Sequence, residues 1–311
     1  MLDLPRVLKR PFAAWMMFNT GAEVVKGQKG IHFILEQDAD VIRLLEKSTS
    51  INKKGDDVSL FDLTGKAAVI TGSTKGIGKA IAEQLAAHGA QVVVSSRKAD
   101  ACEAVAAEIN EATTDGPGGA VSIPCHIGDK TEIDRLISQT KKHLGKVDIL
   151  VCNAAVNPFY GSMADIPDSA FDKVLASNIT SNHWLCQMVL PGMVERKDGV
   201  IIIISSGDGL RGTPVLGAYG ISKAADMQMA RNIAVEYGPS NVRANAIAPG
   251  LIRTDFARAL WENPETLKNA TANASLRRIG EPEDIAGLAV YLSSRAGSFT
   301  TGQTIAVNGG E

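Results

Sequence analysis

The sequence predicts an α/β fold in which about seven parallel strands form a doubly wound sheet flanked by helices. Three observations carry this prediction. Short apolar runs alternate with helical patterns from Lys66 onward, as expected for repeated strand–helix–strand units. Segment 201–204 is apolar at every position, which suits a strand covered on both faces. A glycine-rich turn follows the first of these strands and favours the same architecture.

The predicted elements follow one another in a regular order, and right-handed crossovers place each helix against a face of the sheet. The predicted strands are 67–71, 91–95, 121–125, 148–152, 200–205, 242–247 and 304–307. The predicted helices are 76–88, 99–110, 131–144, a long helix within 168–195, then 219–237 and 282–292.

The chain is predicted to have two parts, an N-terminal extension over residues 1–60 and a single domain over 61–311. The extension carries no motif with an evident chemistry. Residues 38–47 predict a short amphipathic helix, and residues 53–57 a solvated linker. A packing extension, a partner or membrane-surface contact and a targeting segment all remain open for this part.

Composition excludes several classes of protein. Of the 311 residues 45% are hydrophobic and 21% charged, with a formal net charge of −2, which fits a folded core and gives no basic footprint for nucleic acid. Four cysteines without a CxxC pair argue against a metal site or disulfide framework and favour a reducing, cytoplasmic setting. The apolar runs are too short for a transmembrane segment.

A glycine-rich turn, Thr71–Gly78, follows the first domain strand with the spacing GxxxGxG. Glycine allows a tight turn and close approach of the backbone to a pyrophosphate. The helix that follows offers free N–H groups and a partial positive charge to an anion. Three glycines alone would fit an ordinary loop, but their place between a strand and a helix favours nucleotide binding.

The end of the second domain strand indicates which dinucleotide is bound. An acid is expected there if a ribose 2′-hydroxyl is recognised, but the sequence reads Ser95-Ser96-Arg97-Lys98. Arg97 can hold a 2′-phosphate bidentately, and Lys75 adds a positive charge from the glycine turn. These residues favour NADP(H) over NAD(H), although Arg97 and Lys98 would also fit a solvated strand exit.

A candidate reaction centre lies further along the chain. Tyr219 and Lys223 are one helical turn apart and share a face, so the ammonium can favour the phenolate and allow proton transfer. Ser206 ends the fifth domain strand, where a parallel sheet presents ligands, and can orient a substrate oxygen. The adjacent Ser205 is a competing candidate, and Asn178 fits either a structural amide or a proton relay.

These motifs, in this order, resemble the short-chain dehydrogenase/reductase family, in its single-domain Rossmann subgroup. The resemblance covers about 62–310 and includes the glycine turn, Cys152-Asn153-Ala154-Ala155, Pro249-Gly250 and Val307-Asn308-Gly309-Gly310. It implies a catalytic tetrad of Asn178, Ser206, Tyr219 and Lys223. It also implies that Lys223 holds the nicotinamide ribose and that the long helices near 168–195 and 219–237 form a dimer or homotetramer interface.

The turn, the strand ends and the resemblance together give a set of expected cofactor contacts. They are Gly72, Ser73, Thr74, Lys75, Gly76, Ile77, Gly78, Ser96, Arg97, Lys98, His126, Ile127, Asn153, Ala154, Tyr219, Lys223, Pro249, Gly250, Ile252 and Thr254.

Two positions depart from the family pattern. Ala155 replaces the usual glycine of Asn-Asn-Ala-Gly and narrows the backbone angles. His126 replaces the usual acid that meets the adenine amino group; a neutral imidazole could accept that bond, or the bond is lost. The sequence is similar to the NADP-dependent carbonyl/retinol reductase subfamily, whose members are often tetrameric and in part peroxisomal, but the C-terminal Gly-Gly-Glu is no peroxisomal address.

The favoured function is an NADP(H)-dependent oxidoreductase that interconverts a ketone or aldehyde and an alcohol. Segment 251–275 is predicted to form a lid, whose apolar residues either face an apolar substrate or pack the lid. They are Leu251, Phe256, Leu260 and Trp261.

Three other functions remain open. The first is a 3-oxoacyl thioester reductase, which needs a basic face for an acyl-carrier protein. The second is an NAD-dependent sugar, polyol or secondary-alcohol dehydrogenase. The third is a non-catalytic dinucleotide-binding scaffold, which the retained Tyr219 and Lys223 disfavour. The candidates for the basic face are Arg211, Arg253, Arg258, Arg277 and Arg278.

Overall fold

A computed structural model describes the backbone of residues 23–27 and 30–34, and the whole of residues 59–311. The first two segments are strands β1 (Glu23–Gly27) and β2 (Gly30–Ile34), which pair antiparallel with Glu23 opposite Ile34. The sequence pattern of the N-terminal extension, residues 1–60, did not predict this hairpin. The helix predicted at 38–47 and the linker at 53–57 lie outside the described residues.

Residues 59–311 form a second unit built on a seven-stranded sheet in which every pair of neighbouring strands is parallel. The strand order is β5-β4-β3-β6-β7-β8-β9, so the order reverses between β3 and β6. The strands are β3 (Ala67–Thr71), β4 (Gln91–Ser95), β5 (Gly119–Ser122), β6 (Ile149–Cys152), β7 (Gly199–Ile204), β8 (Val242–Pro249) and β9 (Thr304–Val307). The predicted doubly wound sheet is confirmed.

Nine helices of this unit connect the strands or follow them. They are α1 (Gly76–Ala87), α2 (Ala99–Ala112), α3 (Lys130–Leu144), α4 (Asp168–Leu175), α5 (Ser181–Arg196), α6 (Gly217–Tyr237), α7 (Arg258–Trp261), α8 (Pro264–Asn273) and α9 (Pro282–Ser293). A π-helical turn at Ala176–Thr180 joins α4 to α5.

The apolar strands are covered on both faces of the sheet. Ala68 and Ile70 of β3 belong to one cluster of buried residues together with α1 and α9. Val69, between them, belongs to a second cluster with α3 and α5. Because successive side chains of a strand point to opposite faces, the uninterrupted apolar runs supply both layers of the core.

Most predicted elements agree with those observed to within two residues at each end, and two differ by more. The strand predicted at 121–125 is observed at 119–122, although Ile123 and Cys125 are still buried. Pro124 has no N–H to continue the strand ladder. The long helix predicted within 168–195 is divided by the π-helical turn into α4 and α5, and such turns often occur at functional sites.

Candidate active site

The glycine-rich turn lies at the carboxyl end of β3, beside the reversal of strand order. Gly72 and Gly76 have φ values of +66° and +55°, which glycine adopts without strain. A Cβ on Gly78 would lie 2.5 Å from both the Asn153 Nδ2 and the Gly72 carbonyl oxygen. Lys75 precedes α1 and no side chain caps this helix. The turn therefore has the close backbone packing and open helix N-terminus that a pyrophosphate requires.

The side chains of two predicted cofactor residues already form hydrogen bonds to the protein backbone. Ser73 is fully buried; its hydroxyl donates to the Ile70 carbonyl at 2.8 Å and accepts from the Ser95 N–H at 2.8 Å. The Asn153 Nδ2 donates to the carbonyls of Thr71 and Gly72, at 2.9 and 3.2 Å. We therefore expect both side chains to fix the shape of the turn rather than to hold a ligand by these groups.

Charged residues surround the mouth of the turn. Arg97 and Lys98 follow β4 and are exposed, so their side chains can reach a 2′-phosphate. The Lys75 ammonium lies 3.2 Å from the Asp255 carboxylate, with both side chains largely exposed; such a pair contributes little to stability. Lys75 thus faces the segment predicted to form the lid.

His126 is exposed after β5, and its Nδ1 accepts a hydrogen bond from the Gly128 N–H at 3.1 Å. The neutral ring must then carry its proton on Nε2. That nitrogen is a donor, so it cannot accept a bond from an adenine amino group. The loss of the family's adenine contact is therefore favoured over its replacement by the imidazole.

The remaining predicted cofactor positions line the same edge of the sheet or support it. Ile252 is buried, and a Cβ on Gly76 would lie 3.1 Å from Thr254, so this segment packs against the turn. Gly250 donates its N–H to the Val307 carbonyl at 3.0 Å. Pro249 is buried at the end of β8, and the other positions are partly exposed: Thr74, Ile77, Ser96, Ile127 and Ala154.

The two candidate serines after β7 face different neighbours. The Ser205 hydroxyl is buried and donates to the Lys223 carbonyl at 2.7 Å. Ser206 is partly exposed; its hydroxyl accepts from the Asp208 N–H at 3.2 Å and lies 3.4 Å from the Asp208 carboxylate. Ser206 also lies close enough to Tyr219 for its hydroxyl to lower the pKa of the phenol, against the larger effect of burial. Of the two, Ser206 therefore has the position that the proposed chemistry needs.

Tyr219 and Lys223 lie together on α6, as their spacing predicts. The Lys223 Nζ lies 5.7 Å from the centre of the Tyr219 ring. Burial raises the pKa of the Tyr219 phenol, and the nearby ammonium offsets this only in part. Burial alone would lower the pKa of Lys223, but the nearby Asp226 carboxylate more than offsets this and leaves the pKa above its usual value, so the ammonium persists. At neutral pH the pair is a neutral phenol beside a cation.

Asn178 is fully buried in the π-helical turn. Its Oδ1 accepts from the Val156 N–H at 2.9 Å. Its Nδ2 donates to the Val156 carbonyl and the Ser222 hydroxyl, both at 3.0 Å. The side chain therefore joins the loop after β6 to α6, next to the tyrosine. This geometry makes the carboxamide a structural support, and only its backbone carbonyl could take part in a proton relay.

The sequence patterns missed two acids near this pair. Asp226 is fully buried, and its Oδ2 lies 3.0 Å from the Lys223 Nζ. Its spacing of three residues after Lys223 was a usable signal, because residues i and i+3 share a helix face. Asp208 stands beside Ser206, and burial raises the pKa of its carboxyl. Nothing in its local sequence indicated that contact.

The lid segment contains α7 and α8. The Phe256 side chain is 55% exposed, and its ring centre lies 6.1 Å from that of Tyr219. The Trp261 Nε1 donates to the Thr254 carbonyl at 2.8 Å, and its ring packs under the Arg253 guanidinium. The two apolar interpretations therefore apply to different residues: Phe256 faces the reaction centre, and Trp261 packs the lid.

Two further searches of the described residues gave negative results. No helix among them combines the length and apolar character needed to cross a membrane. Within the same residues, no group of three or more histidine, cysteine or acidic side chains is placed to hold a metal ion.

A glycine-rich turn at the reversal of a parallel sheet, with a Tyr–Lys pair and a serine at the same edge, is the arrangement of a dinucleotide-dependent oxidoreductase. The family model described as enoyl-(acyl carrier protein) reductase matches residues 72–311. The chain belongs to the short-chain dehydrogenase/reductase family, and its fold and order of motifs are those expected from the sequence.

Curated relatives agree with this assignment. The Bos taurus protein named dehydrogenase/reductase SDR family member 4 is 43% identical over 80% of this chain and 88% of its own length. The Homo sapiens protein named dehydrogenase/reductase SDR family member 2, mitochondrial, is 39% identical over 84% of this chain and 90% of its own. These relatives support interconversion of a carbonyl compound and an alcohol with NAD or NADP.

Solved structures share the fold. A 7α-hydroxysteroid dehydrogenase complexed with NADH and 7-oxo glycochenodeoxycholic acid is 37% identical, with a TM-score of 0.76, over 82% of this chain and 97% of that one. A putative NAD(P)-dependent gluconate 5-dehydrogenase from Beutenbergia cavernae, with NADP bound, is 32% identical, with a TM-score of 0.75, over 81% and 98%. The neighbours therefore include both dinucleotides.

Proposed function

We propose that this protein is an NADP(H)-dependent carbonyl reductase acting on apolar ketones or aldehydes. The observation that carries the choice of dinucleotide is the end of β4, where exposed Arg97 and Lys98 stand in place of an acid. A carboxylate there would repel a 2′-phosphate, whereas a guanidinium binds one bidentately.

The residues of the site fit this cofactor. The close backbone packing at Gly72 and Gly78 and the uncapped start of α1 suit a pyrophosphate, and Lys223 would hold the nicotinamide ribose. When bound, the cofactor supplies hydride to the substrate carbon. Lys75 would add to the phosphate contacts after leaving its exposed pair with Asp255.

The chain's own residues hold the substrate and move the proton. Ser206 donates a hydrogen bond to the substrate oxygen and places it near Tyr219. The phenol, kept protonated by the burial that raises its pKa, gives its proton to that oxygen in reduction and accepts it in oxidation. Lys223 stabilises the phenolate that forms. Asn178 supports the loop on which this arrangement depends.

The apolar substrate class follows from the Phe256 ring beside Tyr219. The basic face that an acyl-carrier protein would need is not favoured, because several of its candidate arginines already pair with carboxylates. The pairs are Arg211 with Glu311, Arg253 with Glu281, Arg258 with Asp255 and Arg278 with Asp284.

The organisation of the protein is proposed on separate grounds. Residues 61–311 carry the site and would form the catalytic domain, with residues 1–60 as an extension. The four cysteines are all free and buried, which agrees with a reducing, cytoplasmic setting. A homotetramer or dimer is expected, since family resemblance assigns the oligomer interface to the long helices that correspond here to α5 and α6.

The test is a cofactor comparison on Arg97→Gln. We expect kcat/KM for NADPH to fall about ten- to a hundredfold, as for the loss of one charged hydrogen-bonded contact, while kcat/KM for NADH stays the same. The measurement is initial rate with each dinucleotide on a panel of apolar ketones and dicarbonyls.

The matched control is Arg295→Gln, which removes an exposed arginine just after α9 and should change neither value. A wild-type preference for NADH would contradict the choice of NADP and favour alcohol or polyol oxidation. Tight dinucleotide binding without turnover on any carbonyl would favour the scaffold alternative.

A further inference from the structure

A buried acid stands behind the catalytic pair. Asp226 lies on α6 with no exposed side-chain surface, and its Oδ2 lies 3.0 Å from the Lys223 Nζ. Its Oδ1 accepts a hydrogen bond from the Asn182 Nδ2 at 2.9 Å. A buried charge is costly unless it is paired and hydrogen-bonded. Both carboxylate oxygens have a donor, and these donors favour the anion. Burial nevertheless raises the pKa of the Asp226 carboxyl above its usual value, and the Lys223 ammonium and the two hydrogen bonds offset this only in part.

The same contacts fix the lysine. The Lys223 side chain is 3% exposed, and its Nζ donates to the Ile204 carbonyl at 2.8 Å as well as to Asp226. An ammonium has three N–H donors, so one N–H remains free to bond a ribose hydroxyl or to point toward Tyr219. The position of the ammonium is thus set by β7 on one side and by Asp226 on the other.

The network continues into a second helix. The Asn182 Nδ2 that binds Asp226 also donates to the Asn178 carbonyl at 2.7 Å. Asn182 lies on α5 and Asn178 in the π-helical turn before it. The turn that carries the Asn178 carbonyl is therefore tied to the Lys223 counter-ion by one carboxamide.

We propose that Asp226 is a positioning residue for proton transfer. It anchors the Lys223 ammonium and, by pairing with it, reduces the positive charge that acts on Tyr219. The inference rests on the proposed role of Tyr219 as the group that exchanges the proton. Its consequence is directional. A partly neutralised lysine stabilises the phenolate less, so the site is biased toward the protonated tyrosine that a reductase needs.

Several other groups face the pair. The groups that face the Tyr219 phenol are Lys223, Asp226, Asp208 and Ser206. Those that face Lys223 are Tyr219, Asp226 and Cys152. Asp208 is faced in turn by Arg211 and Glu311. Cys152, at the end of β6, is a free cysteine beside Cys186 of α5. Hydrogen bonding to the Cys186 thiol and burial raise the pKa of the Cys152 thiol, so it stays neutral. Asp226 is the acid bonded directly to the ammonium.

The test is Asp226→Asn in the full chain, which removes the charge at nearly constant volume. We expect the acid limb of the pH profile for alcohol oxidation to move to lower pH. On that limb, each pH unit of displacement raises the oxidation rate at fixed pH about tenfold. The basic limb for ketone reduction should move in the same direction. The anchor is also weakened, so the plateau kcat should fall while KM for substrate changes little.

A second readout does not need turnover. The ultraviolet absorbance of tyrosinate is titrated in the Asp226→Asn protein and in the same protein with Tyr219→Phe, and the difference isolates Tyr219. This titration should also move to lower pH than in wild type. A wild type that reduces no carbonyl would defeat the proposed function, yet the titration would still report on Asp226.

Two matched variants separate charge from structure. Asn182→Ala breaks the same network but keeps the Asp226 charge, so it should lower stability without moving the acid limb to lower pH. Glu236→Gln removes an exposed acid from the same helix and should leave both readouts unchanged. Should Asp226→Asn not fold, Asp226→Ser is the neutral replacement. The proposal is overturned if, in a folded neutral variant, the acid limb of alcohol oxidation and the Tyr219 titration stay at the wild-type pH or move to higher pH.

Discussion

The two parts of the candidate site, the glycine turn proposed to bind the cofactor and the α6 residues proposed to catalyse, use different kinds of groups. At the glycine turn the structure presents backbone and exposed charges, and the closest contacts are those that a Cβ on Gly78 would violate. At α6 the working groups are buried side chains: Lys223 and Asp226 are 3% and 0% exposed and bonded to each other.

The difference explains how each side tolerates change. Backbone recognition depends on the absence of side chains, so a single methyl group can block it, whereas exposed charges contribute modestly and independently. A buried charged network is coupled, and the removal of one member alters the protonation of the others. Three substitutions test this difference between the two sides.

The largest effect is expected on the catalytic side, from Tyr219→Phe. The loss of the phenolic proton donor should lower kcat by about 10²- to 10⁴-fold, while dinucleotide affinity stays near wild type because the turn is untouched. Rates and fluorescence titration of NADPH measure the two quantities. Tyr237→Phe, the same change at the end of the same helix, should leave kcat unchanged. Retained turnover in Tyr219→Phe would show that the proton comes from another group.

On the cofactor side, Gly78→Ala places a methyl group 2.5 Å from the Asn153 carboxamide and the Gly72 carbonyl. Overpacking of this kind costs about 1–3 kcal/mol, and we expect it to weaken NADPH binding about tenfold or more with a smaller change in kcat at saturation. Isothermal titration measures the affinity.

Gly287→Ala is the control for that change, since a Cβ on this exposed glycine of α9 meets nothing within 4 Å. It should keep the affinity and raise stability by about 1 kcal/mol, the difference in helix propensity. Equal affinity in the two variants would contradict the role of the close backbone packing at the turn.

The smallest effect is expected where the lid returns to the domain. Hydrogen bonds from Arg278 and the Glu281 N–H lower the pKa of the Asp284 carboxyl to about 2. Because the folded-state pKa is depressed below its ordinary value of 3.8, this stability is present above pH 4 and is lost as the pH falls toward 2. Asp284→Asn should lower the free energy of unfolding by about 1 kcal/mol near neutral pH, as for a lost helix cap.

Urea unfolding between pH 2 and 7 tests this, and the difference from wild type should shrink as the pH falls. Glu283→Gln removes the neighbouring acid of the same first turn and should have the smaller effect at neutral pH. A difference that does not depend on pH would assign the role of Asp284 to packing rather than to charge.

The sequence alone identified the class of fold and the candidate positions of the site. Apolar periodicity gave the strands, and the short motifs around Gly72, Tyr219 and Lys223 are local, so the helix or turn that carries them fixes their relative placement. The resemblance added Asn178, whose role its residue type alone left open.

Only the tertiary structure shows which partners the polar side chains of the site bond to. The sequence could not show that Ser73 and Asn153 bond to the backbone of the turn, or that Ser205 faces α6 and leaves Ser206 beside the tyrosine. It also did not show that a buried Asp226 pairs with the Lys223 ammonium. The physical reason is that burial and hydrogen-bond partners come from strands and helices far apart in the chain, and they set both the availability and the pKa of each group.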